Sequence, residues 1–251
     1  MDQNIKNSLG ERLDYTFSSG AANSRDGKWL VVLGHGLTGD KDRPVIVDTA
    51  EALNAAGFDT LRFSFAGNGA SEGDFRKATI SKETDDLSSV LNIAERNYPN
   101  IAYIGHSMGG AVGVIQATRD PRIRALISLA GMIDTRTFAT TEFAEVTPDV
   151  GLMWDEPDCP LSTAFMHDLC ETLQNLAPLA DCVVTPWLLI HGTADDVVLP
   201  QDTKAVQAMQ GDAVQVVFIE GAEHSFDEPD HKSQMTTAVV DWLSQRRTLA
   251  S

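Results

Sequence analysis

The chain has 251 residues, 43% of them hydrophobic and 22% charged, a composition that excludes disordered, collagen-like and disulfide-framework classes. Its 36 acidic against 19 basic side chains give a net charge of −17, so nucleic acid and anionic membrane surfaces are poor partners, and a well-solvated surface accounts for the acidity better than salt adaptation does. Three cysteines without CxxC spacing, a polar N-terminal stretch and no apolar run long enough to span a bilayer point to a soluble chain in a reducing, cytoplasmic setting.

In chain order, short apolar runs at 29–33, 60–65, 101–104, 125–129, 187–190 and 214–219 are each followed by a segment with helical spacing. That alternation predicts an α/β fold, a mostly parallel central sheet with flanking helices, and the near-continuous apolar character suits strands buried on both faces. Residues 15–17 suggest an added edge strand. The stripes Ile80, Thr84, Leu87, Leu91, Ala94 and Met235, Val239, Trp242 predict helices with one buried face, and Pro44 and Pro200 stand at candidate helix starts. Residues 1–251 read as a single domain. Between about 133 and 181 the alternation breaks, and the helical spacing of Phe165, Leu169, Leu173 and Leu176 predicts a small, partly helical insertion lying over the sheet as a cap.

Gly105-His106-Ser107-Met108-Gly109 follows one strand candidate and precedes a helix rich in small residues. This strand, sharp turn and helix is the context of a nucleophile elbow, with glycines where side chains would clash and the serine at the positive end of a helix. A serine hydroxyl is a poor nucleophile at neutral pH and needs a base and a carboxylate that orients the base. Asp195 follows the strand candidate at 187–190 and His224 follows the one at 214–219. Ser107, Asp195 and His224 therefore stand in one chain order, each at the carboxyl end of a parallel strand. Asp196 is the alternative acid, one residue away. His106 and His191 read as structural, while His167 falls in the insertion and His231 among exposed polar residues.

Five stretches carry a family resemblance: Gly34-His35-Gly36-Leu37-Thr38-Gly39, residues 62–75, Gly105 to Gly110, His191 to Asp195, and Gly221 to Phe226. On these the chain resembles the α/β-hydrolase superfamily, and within it the small capped esterases that include the cinnamoyl and feruloyl esterases. It departs from such esterases at Ser64, where they often have Asp, and at Asn68, where they often have His. The resemblance implies the α/β-hydrolase fold and a serine hydrolase with Ser107, Asp195 and His224 as its triad. It also implies an oxyanion hole made by the backbone N–H groups of Leu37 and Met108. His35 reads as a loop histidine bonded to backbone, and it and Trp154 are the candidates for substrate contact.

The expected reaction is hydrolysis of a small-molecule carboxylic ester, aromatic or short-chain, through an acyl-enzyme. Amide, thioester or lactone cleavage, perhydrolysis or carbon–carbon bond hydrolysis on the same triad are the enzymatic alternatives, and a non-catalytic binding protein of this fold is the rival from another class. No metal-ligand spacing, dinucleotide fingerprint or phosphate loop is present, so no cofactor and no metal are expected.

Overall fold

The computed structural model describes residues 4–20 and 29–249. The apolar runs form strands β1 (Tyr15–Ser18), β2 (Trp29–Gly34), β3 (Asp59–Phe63), β4 (Asn100–His106), β5 (Ile123–Leu129), β6 (Trp187–Gly192) and β7 (Val214–Ile219). They make one sheet in the order β1-β3-β2-β4-β5-β6-β7, with β1 antiparallel to β3 and every other pair parallel. This is the mostly parallel sheet of the α/β-hydrolase fold. β3 stops at Phe63, two residues short of the predicted run; just beyond it the Phe65 N–H donates to the His35 side chain at 3.0 Å instead of to a neighbouring strand.

Alternate residues of the central strands enter two separate apolar layers. Leu30, Val32, Ile101 and Tyr103 belong to one, and Val31, Leu33, Ala102 and Ile104 to the other. The first layer is closed by α2 (Ile80–Ala94), α3 (Met108–Ala117) and α7 (Gln201–Gln210), and the second by α1 (Pro44–Ala55) and α8 (Pro229–Leu249). Each fully buried Leu, Ile or Val contributes about 1.5–3 kcal/mol, so a sheet covered twice is a rigid platform for loops at its carboxyl edge.

Residues 133–181 contain α4 (Thr135–Glu142), α5 (Thr163–His167) running into a π-helical turn (Asp168–Leu173), and α6 (Ala177–Ala180). Side chains fasten this segment to the body. Asp168 accepts from the Ser81 hydroxyl at 2.6 Å and from its N–H at 3.1 Å, while Asp202 accepts from the N–H groups of Ile133 and Asp134. Phe138, Phe143, Met153 and Phe165 are buried, and the rings of Phe138 and Phe165 both meet that of Phe143, so most of the segment's large apolar side chains are packed instead of standing free. Among the described residues no helix is long and apolar enough to cross a membrane.

Candidate active site

β4 ends at His106 and α3 begins at Met108, which leaves Ser107 alone to make the turn. Ser107 sits at φ 53° and ψ −118°, a conformation that costs an L-residue about 1–3 kcal/mol and persists only when its surroundings impose it. They do so through three backbone hydrogen bonds. Its N–H donates to Leu129 O at 2.9 Å, and its carbonyl accepts from Gly110 at 2.9 Å and Met132 at 3.1 Å. The flanking glycines are sterically required: a Cβ on Gly105 would lie 2.1 Å from Gly109 O, and one on Gly109 would lie 2.6 Å from His35 O.

At the end of β6 the chain turns so that Asp195 points back under the β7 loop. Its Oδ1 accepts from the N–H groups of Val197 and Val198, both at 3.0 Å. Its Oδ2 lies 2.8 Å from His224 Nδ1 and 3.2 Å from His191 Nε2. Burial opposes the Asp195 charge, but the hydrogen bonds from His191 and His224 outweigh it and hold the carboxyl well below the usual carboxylate range. A carboxylate only accepts, so Nδ1 of His224 carries the proton and its Nε2 is left with a lone pair. That is the tautomer a base needs. His191 is held in turn by Thr203 Oγ1 and Val198 O, each at 2.8 Å.

Ser107 and His224 line one pocket of about 440 Å³, together with Leu37, His106, Trp154 and Val197. Among the described residues no hydrogen bond joins Ser107 to His224; such contacts often close only when substrate is bound. The Leu37 loop leaves the end of β2 and reaches the same pocket. Neither the Leu37 nor the Met108 N–H has a backbone acceptor among the described residues, and Met108 is the first residue of α3, where helix N–H groups are unpaired and the dipole is positive.

The remaining candidates separate cleanly. Asp196 lines a different cleft of about 170 Å³, beside Phe138 and Asp202. Trp154 is 41% exposed and reaches the Ser107 pocket. His35 does not: it is fully buried, accepts the Phe65 N–H on Nε2 at 3.0 Å and bonds Gly36 O through Nδ1 at 2.8 Å. The expectation that His35 contacts substrate is therefore corrected; Nε2 ties the Leu37 loop to the segment after β3, and Nδ1 is taken up by the loop's own Gly36 carbonyl. Burial lowers its pKa to about 4, which keeps it neutral. His106, neutral for the same reason and because of the neighbouring His224 ring, has its pKa lowered to about 3 and places Nε2 3.1 Å from His224 O. His167 and His231 lie outside the pocket, as do Ser64 and Asn68.

Sequence reasoning did not mark four pocket residues, Arg43, Val45, Val197 and Asp227. Arg43 stands beside a helix-starting proline and Asp227 two residues after Ser225. Nothing in their immediate sequence distinguishes them from solvated loop charges. The second histidine on Asp195 had a signal, the i, i+4 spacing of His191 and Asp195, but a spacing alone does not say that a ring turns inward.

Solved structures share this architecture. Est1E from Butyrivibrio proteoclasticus, solved with ferulic acid bound, superposes with a TM-score of 0.80 over 96% of this chain and 97% of that one at 24% identity. The esterase domain of a Rhodothermus marinus protein gives 0.74 over 95% of both chains at 20% identity. At these identities the likeness speaks for the fold, and it agrees with the resemblance carried by the five motifs. An Escherichia coli protein described as an uncharacterized 31.7 kDa protein of the traX-finO intergenic region is 30% identical over 120 residues, 46% of this chain and 42% of that protein, so the match takes in less than half of the relative's length. The sequence pattern of the prolyl oligopeptidase family matches residues 65–248, well over half of the chain and the whole stretch from the elbow to the β7 loop. The chain belongs to the prolyl oligopeptidase family and has the α/β-hydrolase fold.

Proposed function

We propose that the chain is a serine esterase in which Ser107 attacks the carbonyl of a small ester, His224 takes the serine proton and returns it to the leaving alcohol, and Asp195 orients the imidazole and balances its charge. Water, activated by the same His224, then releases the acid from the acyl-enzyme. The N–H groups of Leu37 and Met108 stabilise the tetrahedral oxyanion, a type of contact whose removal costs about 10²–10³ in rate elsewhere. The observation that carries the reading is the 2.8 Å contact of a buried, ionised Asp195 with Nδ1 of His224, which itself lines the pocket that holds the strained Ser107. No step calls for a metal or cofactor. A reducing compartment suits Cys159, Cys170 and Cys182, all free thiols.

A fluorophosphonate probe tests the reading directly. Labelling that maps to Ser107, with hydrolysis of p-nitrophenyl acetate abolished in Ser107→Ala, is the expected result. Failure to label Ser107 in a protein that still turns over the ester would reject the nucleophile. The family match favours a second reading, hydrolysis of a peptide bond at proline. A prolyl p-nitroanilide assayed beside an unactivated alkyl ester decides between them: Ser107-dependent cleavage of the anilide supports the peptidase, and cleavage of the alkyl ester alone supports the esterase.

A further inference from the structure

Arg43 lies on the wall of the Ser107 pocket, in the turn between the Leu37 loop and α1. Its guanidinium is anchored at one corner, where Nη2 donates to Thr38 O at 3.0 Å. Its stem runs past Gly39, where a Cβ would stand 3.3 Å from the Arg43 Cγ. The charge is close enough to act on His35 of the body and on Cys159 of the insertion, so it sits between the two parts of the chain that frame the pocket.

Two carboxylates, Asp40 and Asp42, stand just before Arg43 in sequence, and neither pairs with it. Asp40 accepts from the Asp42 N–H at 2.8 Å, and Asp42 is engaged by Lys41 and Arg62. Among the described residues Arg43 forms an ion pair with no carboxylate at all. A guanidinium has five N–H donors in a planar fork and stays charged at every physiological pH. One donor is used by Thr38, and the others have no protein partner among the described residues; Arg43 is exposed and lines the pocket beside Pro44 and Val45. Asp227 also lines the pocket but enters from the His224 loop, so the two charges come from different sides of the chain.

We propose that Arg43 is a specificity residue and that the ester cleaved at Ser107 carries a carboxylate, which pairs with the Arg43 guanidinium. The inference rests on the esterase reading and names the substrate class within it. The overall negative charge does not oppose it, because surface charges farther than about 8 Å are largely screened at physiological salt, whereas a bidentate pair acts at contact distance. The fork geometry of arginine matches a carboxylate with two parallel hydrogen bonds, which a lysine cannot supply.

The test uses two matched ester pairs on the full chain. p-Nitrophenyl hemisuccinate against p-nitrophenyl butyrate places the charge on the acyl side, and 4-acetoxybenzoate against its methyl ester places it on the leaving group. In one pair the ratio of kcat/KM, charged over neutral, should fall about tenfold from wild type to Arg43→Gln and recover in part in Arg43→Lys. If Arg43 only braces Thr38, both members slow together and the ratio stays put, which overturns the proposal. Faster turnover of 4-acetoxyphenyl-trimethylammonium than of the carboxylate esters overturns it as well, because Asp227 would then set the preference. Loss of all ester turnover and of Ser107 labelling in wild type would reject the esterase reading and this inference with it. Turnover with an unchanged ratio rejects the role of Arg43 alone.

Discussion

Asp195 and Asp196 are neighbours in the chain and face different cavities. The first holds His224 Nδ1 at 2.8 Å, and the second lines the cleft beside Phe138 and α7. One turn of backbone, fixed by the N–H groups of Val197 and Val198 on Asp195, makes the distinction. Asp195→Asn keeps the volume but places an amide donor or a neutral oxygen against Nδ1, so kcat should fall by roughly 10²–10⁴. Asp196→Asn should stay within roughly twofold to threefold of wild type, as a surface change away from reacting atoms does. Steady-state kinetics on one activated ester compares them, and a larger loss at Asp196 would reassign the acid.

The elbow and the order of its partners were legible because each is tied to a strand end by strong local chemistry: glycines at 105 and 109 where no Cβ fits, and continuous apolar runs that only a doubly covered sheet accommodates. What the sequence did not disclose depends on directions that residue type leaves open. His35 follows a strand as a functional residue would, yet its ring turns inward to the Phe65 backbone. The insertion has several aromatic residues, and the composition does not say that Phe138, Phe143 and Phe165 are buried while Trp154 reaches the pocket. Arg43 was hidden for the same reason, since its unpaired state depends on where the carboxylates of Asp40 and Asp42 point.

Acid should destabilise the fold through His35. Burial lowers its folded pKa to about 4 from an ordinary value of 6.5. Between those values the unfolded chain binds a proton that the folded chain does not, so stability rises with pH across this window and is lost as pH falls from 6.5 toward 4. The shift corresponds to roughly 3 kcal/mol. His35→Gln should be less stable than wild type at pH 7, and the gap should narrow as pH falls. Urea unfolding of both proteins at pH 7 and pH 4.5 checks this; a gap that widens in acid would mean that His35 is charged in the fold.

Glu83 should act in the opposite sense. It is fully buried on α2, and neither carboxylate oxygen has a hydrogen-bond partner among the described residues. Burial, reinforced by the nearby Asp86 and Asp168, raises its pKa well above the model-compound 4.5. Above that value the unfolded chain sheds a proton that the folded chain retains, so this group's contribution to stability falls as pH rises, by at most about 1.4 kcal/mol per pH unit, until the folded pKa is reached. Glu83→Gln keeps the shape without the titration. Its melting temperature should gain on wild type between pH 5 and pH 8, and a difference that stayed constant would show that Glu83 is ionised in the fold.

Trp154 joins the insertion to the pocket by an unusual route. It stands at φ 47° and ψ 34°, a left-handed conformation that is costly for an aromatic residue, and its indole donates to Glu142 at 2.9 Å. Its ring meets those of Phe143 at 5.3 Å and Phe138 at 6.3 Å, so it is braced from within the insertion while 41% of its surface stays exposed toward the cleft. As a wall of a substrate site, such a ring would sort substrates by shape and take no part in proton transfer. Trp154→Ala should therefore change the ratio of kcat/KM between a bulky aromatic ester and p-nitrophenyl acetate by roughly tenfold, with the acetate still turned over. Trp154→Phe, which loses the Glu142 bond but keeps a ring, should fall between the two. An unchanged ratio in Trp154→Ala, with the melting temperature lowered, would assign the residue to packing of the insertion alone.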